Sequence, residues 1–574
     1  MVQNGLKKLA RAEDLFSSGN LEGAYELLKD LIQDPDLDFE QKSRIQYFQG
    51  LILAYQNKNK KLMKLGREMS SYAQSHEQKH HHFDGLFFLS FGLGGADKFA
   101  EVFKVIKKAD KVLKDISGVP YDILLIKSTR LNILKAWANF NEGRIEASEK
   151  FIDKVLSVEK ELGDRFETIW AYLLRSHILM QVKFDFSSAM ECIEKAMSMA
   201  KRTQYNHYWI AFSHIAIGVF KSKIYEYEAS LDHHFKALEI FKKINNDWYI
   251  ANILNNIGLI YCDIGNYDLA QKYLEESLEL WETFSLYKGA LIDSLIYVAL
   301  EVGDIKKAKM YLEHLKDKYE EKNDKYSQIL YTFNKAAILK TSNRIRDISE
   351  AEKLFTQIIE TETLFFESKI YAYIHICDIL LTEYSLNYND EVLEELNGYI
   401  PKLLKIAKNK HSYLVFCETF ILQAKLALLN LNFKAAQRFL TQAQKVAESN
   451  GIMRLARKIS FEHDKLIEQF GKWRKLKDEH VPVSERWKFA GLSEQIKRMK
   501  KKGLQDVPDI SDEKPIYLLI VSEGGMPFFS QSFTSDKKFE EHLFGGFFIT
   551  LNSFIIENFS EGLNRASFGE YTLL

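Results

Sequence analysis

Along the first four-fifths of the chain, apolar residues return every three or four positions, in segments long enough for four or five helical turns, separated by short polar breaks. WYIANILNNIGLIYCDI and YDLAQKYLEESLELWETF are two such segments on either side of one break. Around each break a shorter signature recurs: a turn residue, an apolar or aromatic residue, a small residue three later, and a small or apolar one seven beyond that. GNYDLAQKYLEESLEL is the clearest copy, with Gly265, Tyr267, Ala270 and Ser277. Further copies carry Leu21, Ala24 and Leu31; Phe99, Val102 and Ala109; Ile145 and Ser148; Phe186, Ala189 and Ala196; Tyr227, Ser230 and Ala237; Ile305 and Ala308; Ile348 and Ala351; and Phe433, Ala436 and Ala443. From position 102 to 351 neighbouring copies lie 38 to 46 residues apart. The longer gaps, 24 to 102 and 351 to 436, each hold two steps. The copies due near 63 and 394 keep a helical pattern but have lost the small residues. The spacing predicts about eleven two-helix units with a period near 40.

The small residue has a steric reason. Two antiparallel helices approach closely only where a side chain is nearly absent, so Ala24, Ala189, Ala270, Ala308, Ala351 and Ala436, with Gly218 and Gly258 on the facing helices, are expected at helix–helix contacts. One hairpin cannot bury its own apolar face; stacked neighbours bury a continuous core.

Leu254, Gly258 and Tyr261, followed by Gly265, Tyr267 and Ala270, with Gly218, Tyr227 and Ala237 one unit earlier, resemble the tetratricopeptide repeat. The resemblance covers about residues 4–450. It departs from the usual repeat in its longer helices and in lacking the proline that commonly ends a unit, and a HEAT- or armadillo-like solenoid is the alternative. It implies a mainly α protein, a right-handed α-solenoid whose first helices line a concave wall. On that wall it places Phe212, Ile215 and Val219, then Asn252, Asn255, Leu259 and Cys262, then Asp293 and Tyr297. A mix of amides, aromatics and aliphatics suits a peptide or a helix from a partner protein. The aliphatics have a plainer reading as packing against the next unit, whereas Asn252 and Asn255 are costly inside a helix without a purpose.

Composition changes this picture little. A chain of 574 residues exceeds one ordinary core. A net charge of −1 supplies no global field to attract nucleic acid or membrane. The four cysteines, Cys192, Cys262, Cys377 and Cys417, lie far apart and read as buried thiols in a reducing compartment. MVQNGLKKLARAEDLF lacks a signal-peptide pattern. Its apolar stretches, such as GLFFLSFGLGG, fall short of the roughly 20 residues that span a bilayer. A cytoplasmic location is expected.

The chemistry-bearing motifs are sparse. GxxxxGK[ST] and GxSxG are both missing. DPDLDFE lacks the glycine and the distant glutamate of a calcium loop. His76, His80, His81 and His82 form a cluster, as do His233 and His234, but adjacent helical residues diverge, so the run is read as a solvated turn and no metal, cofactor or catalytic residue is assigned. The expected role is a non-enzymatic scaffold or adaptor.

Residues 472–502 hold eleven Lys and Arg against four acids, with Trp473 and Trp487 among them. This segment is read as a basic helical linker, 471–515, between an array over 1–470 and a tail over 516–574, with a membrane-surface patch as the alternative. In the tail, IYLLIV, the turn SEGG and MPFFSQSF predict a β-hairpin; KFEEHLFGGFFITLNSFIIENF predicts an amphipathic helix over about 538–559; and FGEYTLL predicts a third strand. The order β-β-α-β resembles the start of a longin-like domain, an incomplete α+β unit. Its pairing with helical repeats is similar to proteins of Asgard-type archaea. That resemblance implies a link to a small GTPase or to membrane traffic, and a final strand completed by further chain or by strand addition from a partner.

Overall fold

The computed structural model describes residues 2–499 apart from short stretches such as 181–184, 283–288 and 410–412, together with 517–521, 527–532, 547, 566–568 and 571–573. Among these residues the helices follow one another along the chain in eleven two-helix units. They are α1 Val2–Ser17 with α2 Leu21–Leu31, α3 Phe39–Tyr55 with α4 Asn59–Ser75, α5 Lys79–Gly95 with α6 Phe99–Lys114, and α7 Tyr121–Asn141 with α8 Ile145–Leu156. After the short α9, Glu159–Leu162, come α10 Phe166–Ile178 with α11 Phe186–Arg202, α12 His207–Lys223 with α13 Tyr227–Lys243, and α14 Asp247–Ile264 with α15 Tyr267–Glu282. The series continues with α16 Gly289–Glu301 and α17 Ile305–Lys322, α18 Lys325–Lys340 and α19 Ile345–Glu360, α20 Phe366–Asn387 and α21 Asp390–Asn409, and α22 Tyr413–Leu429 and α23 Phe433–Ser449. Two more helices follow, α24 Met453–Asp478 and α25 Val483–Ala490.

The recurring turn signature is a backbone motif. Gly19, Asn57, Asp97, Gly143, Asn245, Gly265, Gly303 and Leu431 take positive φ. The next residue's N–H returns to the carbonyl five positions back, as in Asn266 to Tyr261 at 2.9 Å, Asp304 to Ala299 at 2.8 Å and Asn432 to Ala427 at 2.8 Å. This bond closes one helix, and the same residue opens the next. The side chains of Asn20, Asn246, Asn266, Asp304 and Asn432 accept the N–H three residues on, which satisfies a donor the helix start leaves open.

Ala24, Ala189, Ala270, Ala308, Ala351 and Ala436 are fully buried. A Cβ on Gly258 would sit 2.7 Å from Leu274 and 3.1 Å from the Ala270 carbonyl. Where the small residue is serine, its hydroxyl donates across the hairpin: Ser148 to the Ala136 carbonyl at 2.8 Å and Ser230 to that of Gly218 at 2.6 Å. The second unit, where the signature fades, moves its closest approach to the next unit. A Cβ on Gly66 of α4 would meet the Leu89 nitrogen of α5 at 2.7 Å, and one on Gly85 of α5 would meet the Ser70 nitrogen of α4 at 2.6 Å.

Contacts divide the chain into two compact units, one chiefly Met1–Leu380 and the other chiefly Leu381–Ile400 with Tyr413–Met499. The first holds one apolar core running from Leu9 to Ile257 and another from Ala251 to Ile338. In the second, α25 packs on α22. Trp473 is buried against Phe489 at 4.7 Å and Trp487 against Tyr384 at 5.4 Å. The boundary expected at 470 therefore falls inside α24. The two tryptophans of the basic segment serve as core anchors, which leaves neither for a membrane surface, while Lys472, Arg474, Lys475 and Lys477 stay exposed.

In the tail, β1 Tyr517–Val521 pairs antiparallel with β2 Pro527–Ser532, with a register shift between Ile520 and Val521. The expected third strand is replaced by a second small pair: β3 Ala566–Phe568 lies antiparallel to β4 Tyr571–Leu573, so Phe568 faces Tyr571. The two pairs belong to separate two-stranded sheets. Among the described residues Phe568 and Tyr571–Leu573 thus belong to one short antiparallel pair. These pairs lend no support to a longin-like domain. The helix expected over 538–559 lies, save Phe547, outside the described residues.

Candidate functional site

The candidate residues sit on the first helices of units six to eight, α12, α14 and α16, which touch one another in series and continue to α18. Phe212, Asn252, Asn255, Leu259, Asp293 and Tyr297 are all half-buried, as are Ile215 and Val219, whereas Cys262 is buried. Asn252 donates to the Trp248 carbonyl at 2.7 Å. Asn255 holds a buried Oδ1 that accepts no hydrogen bond. Asp293 accepts from the buried Asn334 of α18 at 2.7 Å, and Asn334 also donates to the Leu330 carbonyl at 2.9 Å. A polar row, Asn252, Asn255, Asp293 and Asn334, thus runs across three successive first helices.

Phe212 belongs to a different environment. Its ring lies 5.5 Å from Tyr249, 6.2 Å from Tyr208 and 6.4 Å from Trp209, inside an aromatic cluster. That cluster is where the first unit of the structure closes on itself. Tyr55, at the end of α3, stacks on Tyr208 at 4.5 Å, and its hydroxyl accepts from the Trp209 indole at 3.0 Å. The buried Asn246 donates to the Tyr55 carbonyl at 2.6 Å. Around this centre Gln56 donates to the Ile244 carbonyl at 3.4 Å, Asn245 bonds Glu22 at 3.0 Å, His207 bonds the Ser17 carbonyl at 3.0 Å, and Lys58 pairs with Asp247 at 3.8 Å. Hairpins one and two are thereby fastened to hairpins six and seven. Burial pushes the Tyr55 hydroxyl well above its ordinary pKa and that of Tyr249 up to about 12, so both act as neutral hydrogen-bonding groups.

The first helices between these points carry a buried charge network. Lys127 donates to both Asp84 oxygens at 2.9 Å, and Arg130 donates through Nε to Glu167 at 2.9 Å and lies 3.5 Å from Asp84. The Arg130 guanidinium faces the rings of Tyr47, Phe166 and Phe87 at 5.1, 5.4 and 5.7 Å. Two acids and two bases cancel, which is what makes four buried charges tolerable. Burial lowers the Lys127 pKa, and Asp84 opposes that shift. The signal in the sequence was faint but real: Asp84, Lys127, Arg130 and Glu167 recur about one unit apart on otherwise apolar helices. The Tyr55, Trp209 and Asn246 contacts have no comparable signal, because their partners lie 154 and 191 residues away.

Two groups of histidines are also placed. His214 and His233 meet Nδ1 to Nδ1 at 2.9 Å across the α12–α13 hairpin, and His234 is buried against Gly218. His80 and His81, in the first turn of α5, approach Glu40 in the first turn of α3. The expected divergence of the adjacent imidazoles is overturned here, since their rings lie 3.9 Å apart.

Helical hairpins in series, small residues at the crossings and a polar row on the first helices define a helical-repeat protein. Residues 210–283 and 249–314 match the family described as the tetratricopeptide repeat, so these units are similar to repeats of that type. No curated protein matches the chain. Among solved structures, a Rap protein complexed with competence and sporulation factor is 14% identical, with 74% of this chain and 99% of that one covered and a TM-score of 0.42. The quorum sensor NprR from B. thuringiensis is 15% identical over 65% and 99%, with a TM-score of 0.43. Human IFIT1 with m7Gppp-AAAA is 16% identical over 73% and 90%, with a TM-score of 0.37. None of the three carries an argument about what this chain does. Nothing among the described residues supports the small-GTPase role. Among them, too, no helix is long and apolar enough to cross a membrane.

Proposed function

We propose that this chain is a non-enzymatic interaction protein that holds an extended peptide or a helix of a partner protein along the first helices α14, α16 and α18. The observation that carries this reading is the polar row Asn252, Asn255, Asp293 and Asn334, set within and just beyond the stretch that matches the tetratricopeptide repeat. Amide side chains offer both a donor and an acceptor, which is what an extended peptide backbone requires of its receptor. The half-buried Leu259 and Tyr297 flank the row with apolar surface. Phe212, locked among Tyr208, Trp209 and Tyr249, is assigned to packing.

A random peptide library displayed against the full chain tests the proposal. Enriched peptides should lose at least about tenfold in affinity to Asn252→Ala with Asn255→Ala, and should bind Lys272→Ala, on the second helix of the same unit, as they bind the wild type. Lack of enrichment, or equal binding by the double variant, would overturn it.

A further inference from the structure

We infer that Glu40, His80 and His81 form a site for a late first-row divalent metal ion, zinc in the first place. Each residue offers one ligand atom, and these atoms all lie within 4.8 Å of one another. His81 Nε2 is already 3.1 and 3.3 Å from the two Glu40 oxygens. Metal–ligand bonds of about 2.0–2.2 Å put two ligands of one tetrahedral ion about 3.3–3.5 Å apart, so the His81–Glu40 pair stands near the spacing an ion imposes. His80 must close only the remaining gap by a side-chain rotation.

The parts around the ligands are held. Asp38 and Gln41 form a reciprocal capping box at the start of α3, with bonds of 2.8 and 3.1 Å, which fixes the turn that carries Glu40. The Phe39 ring packs on His81 at 5.1 Å and on Tyr72 at 5.1 Å, so the imidazole has a floor. Lys79, the cation next in sequence, donates to the Asp115 carbonyl at 3.1 Å and is drawn off by that bond. The His81 side chain is 17% exposed and that of Glu40 68%, so an ion has a way in from solvent.

Chemistry then selects the ion. Two imidazoles and one carboxylate suit zinc, nickel or copper, whereas calcium and magnesium prefer all-oxygen shells. Both ligand-bearing turns are helix starts, whose partial positive charge disfavours a cation. The single carboxylate offsets this only in part, so a late first-row ion that bonds strongly to imidazole is favoured over an earlier, weaker-binding one. Three protein ligands leave a fourth position for water. A bound ion would fasten the starts of α3 and α5, the first helices of units two and three.

The test uses the full chain after chelator treatment and dialysis. Cobalt(II) is titrated while the visible d–d absorption is followed, and zinc is then added in competition. One equivalent of cobalt is expected, displaced by zinc, with affinity at least about tenfold weaker in His81→Ala and in Glu40→Gln. Glu40 is exposed, so Glu40→Gln separates loss of the site from loss of the fold; far-UV circular dichroism of both variants checks this. The neighbouring His76→Ala and His82→Ala should titrate as the wild type does. Absence of a cobalt spectrum, unchanged affinity in Glu40→Gln and His81→Ala, or an equal loss in His76→Ala or His82→Ala would each overturn the assignment.

Discussion

Units one to six and units seven to nine are built from the same hairpin, yet they spend their first helices differently. In the earlier units those helices face a filled interior: Tyr55, Tyr208 and Trp209 seal it, and Asp84, Lys127, Arg130 and Glu167 neutralise one another within it. In the later units Asn252, Asn255 and Asp293 stay half-buried on the corresponding face, and Asp293 accepts from the buried Asn334. The same kind of repeat thus yields a closed structural core in one place and a half-buried, partly polar face in another. What separates them is a set of contacts between residues some 150–220 positions apart.

The largest effect expected from breaking this contrast is Glu167→Ala, which leaves the buried cluster of Asp84, Lys127 and Arg130 with an uncompensated positive charge. A loss of about 3–5 kcal/mol in denaturant unfolding is expected. Glu275→Ala, in the half-exposed pair with Lys307 at 2.8 Å, should cost no more than about 1 kcal/mol. Equal costs would erase the distinction between the two regions.

Tyr55→Ala removes the stacking on Tyr208 and the acceptor for Trp209. It should destabilise by about 3 kcal/mol and leave peptide affinity at the α14–α18 face unchanged. Coupled loss of peptide binding would show that closure and the polar row are one device.

The histidines of α12 and α13 give a pH dependence. Burial lowers the pKa of His214 to about 4 and that of His234 to about 3, and it lowers His233 as well. Between those values and the ordinary 6.5 the unfolded chain binds more protons than the folded one, so stability rises with pH across that window. It is fully present above 6.5 and drains away as pH falls towards 4. For the half-exposed His214, on the order of 1–2 kcal/mol is at stake after screening by solvent. Thermal melts of wild type and His214→Gln between pH 7 and pH 4.5 measure it; parallel curves would remove His214 as the cause.

The smallest effect on stability belongs to Asn252→Ala with Asn255→Ala. It should shift unfolding by less than about 1 kcal/mol, because Asn252 only bonds its own helix and Asn255 leaves an acceptor unused. A large destabilisation would make the row structural.

Much of the array was legible because each repeat solves a local problem. A left-handed turn residue, a capping side chain and a small residue at the helix crossing are all close in sequence, and their physical reasons act over one or two helices. The second unit was harder, since Gly66 and Gly85 trade the crossing inside one hairpin for one between units. The tail is less legible for a related reason. Apolar alternation marks a strand but not its partner, and β3 found β4 rather than a third place beside β1 and β2.

Local pattern, then, determined the hairpin, its period of about 40 residues and the positions that must stay small. Only tertiary structure decided which first helices are consumed by closure, that Phe212 packs while Asn252, Asn255 and Asp293 remain on a polar row, and that Glu40 comes to lie beside His80 and His81. Periodicity records the constraint between neighbours in the chain. Contacts between distant units add their energies without leaving a period, so they become visible only once the units have stacked.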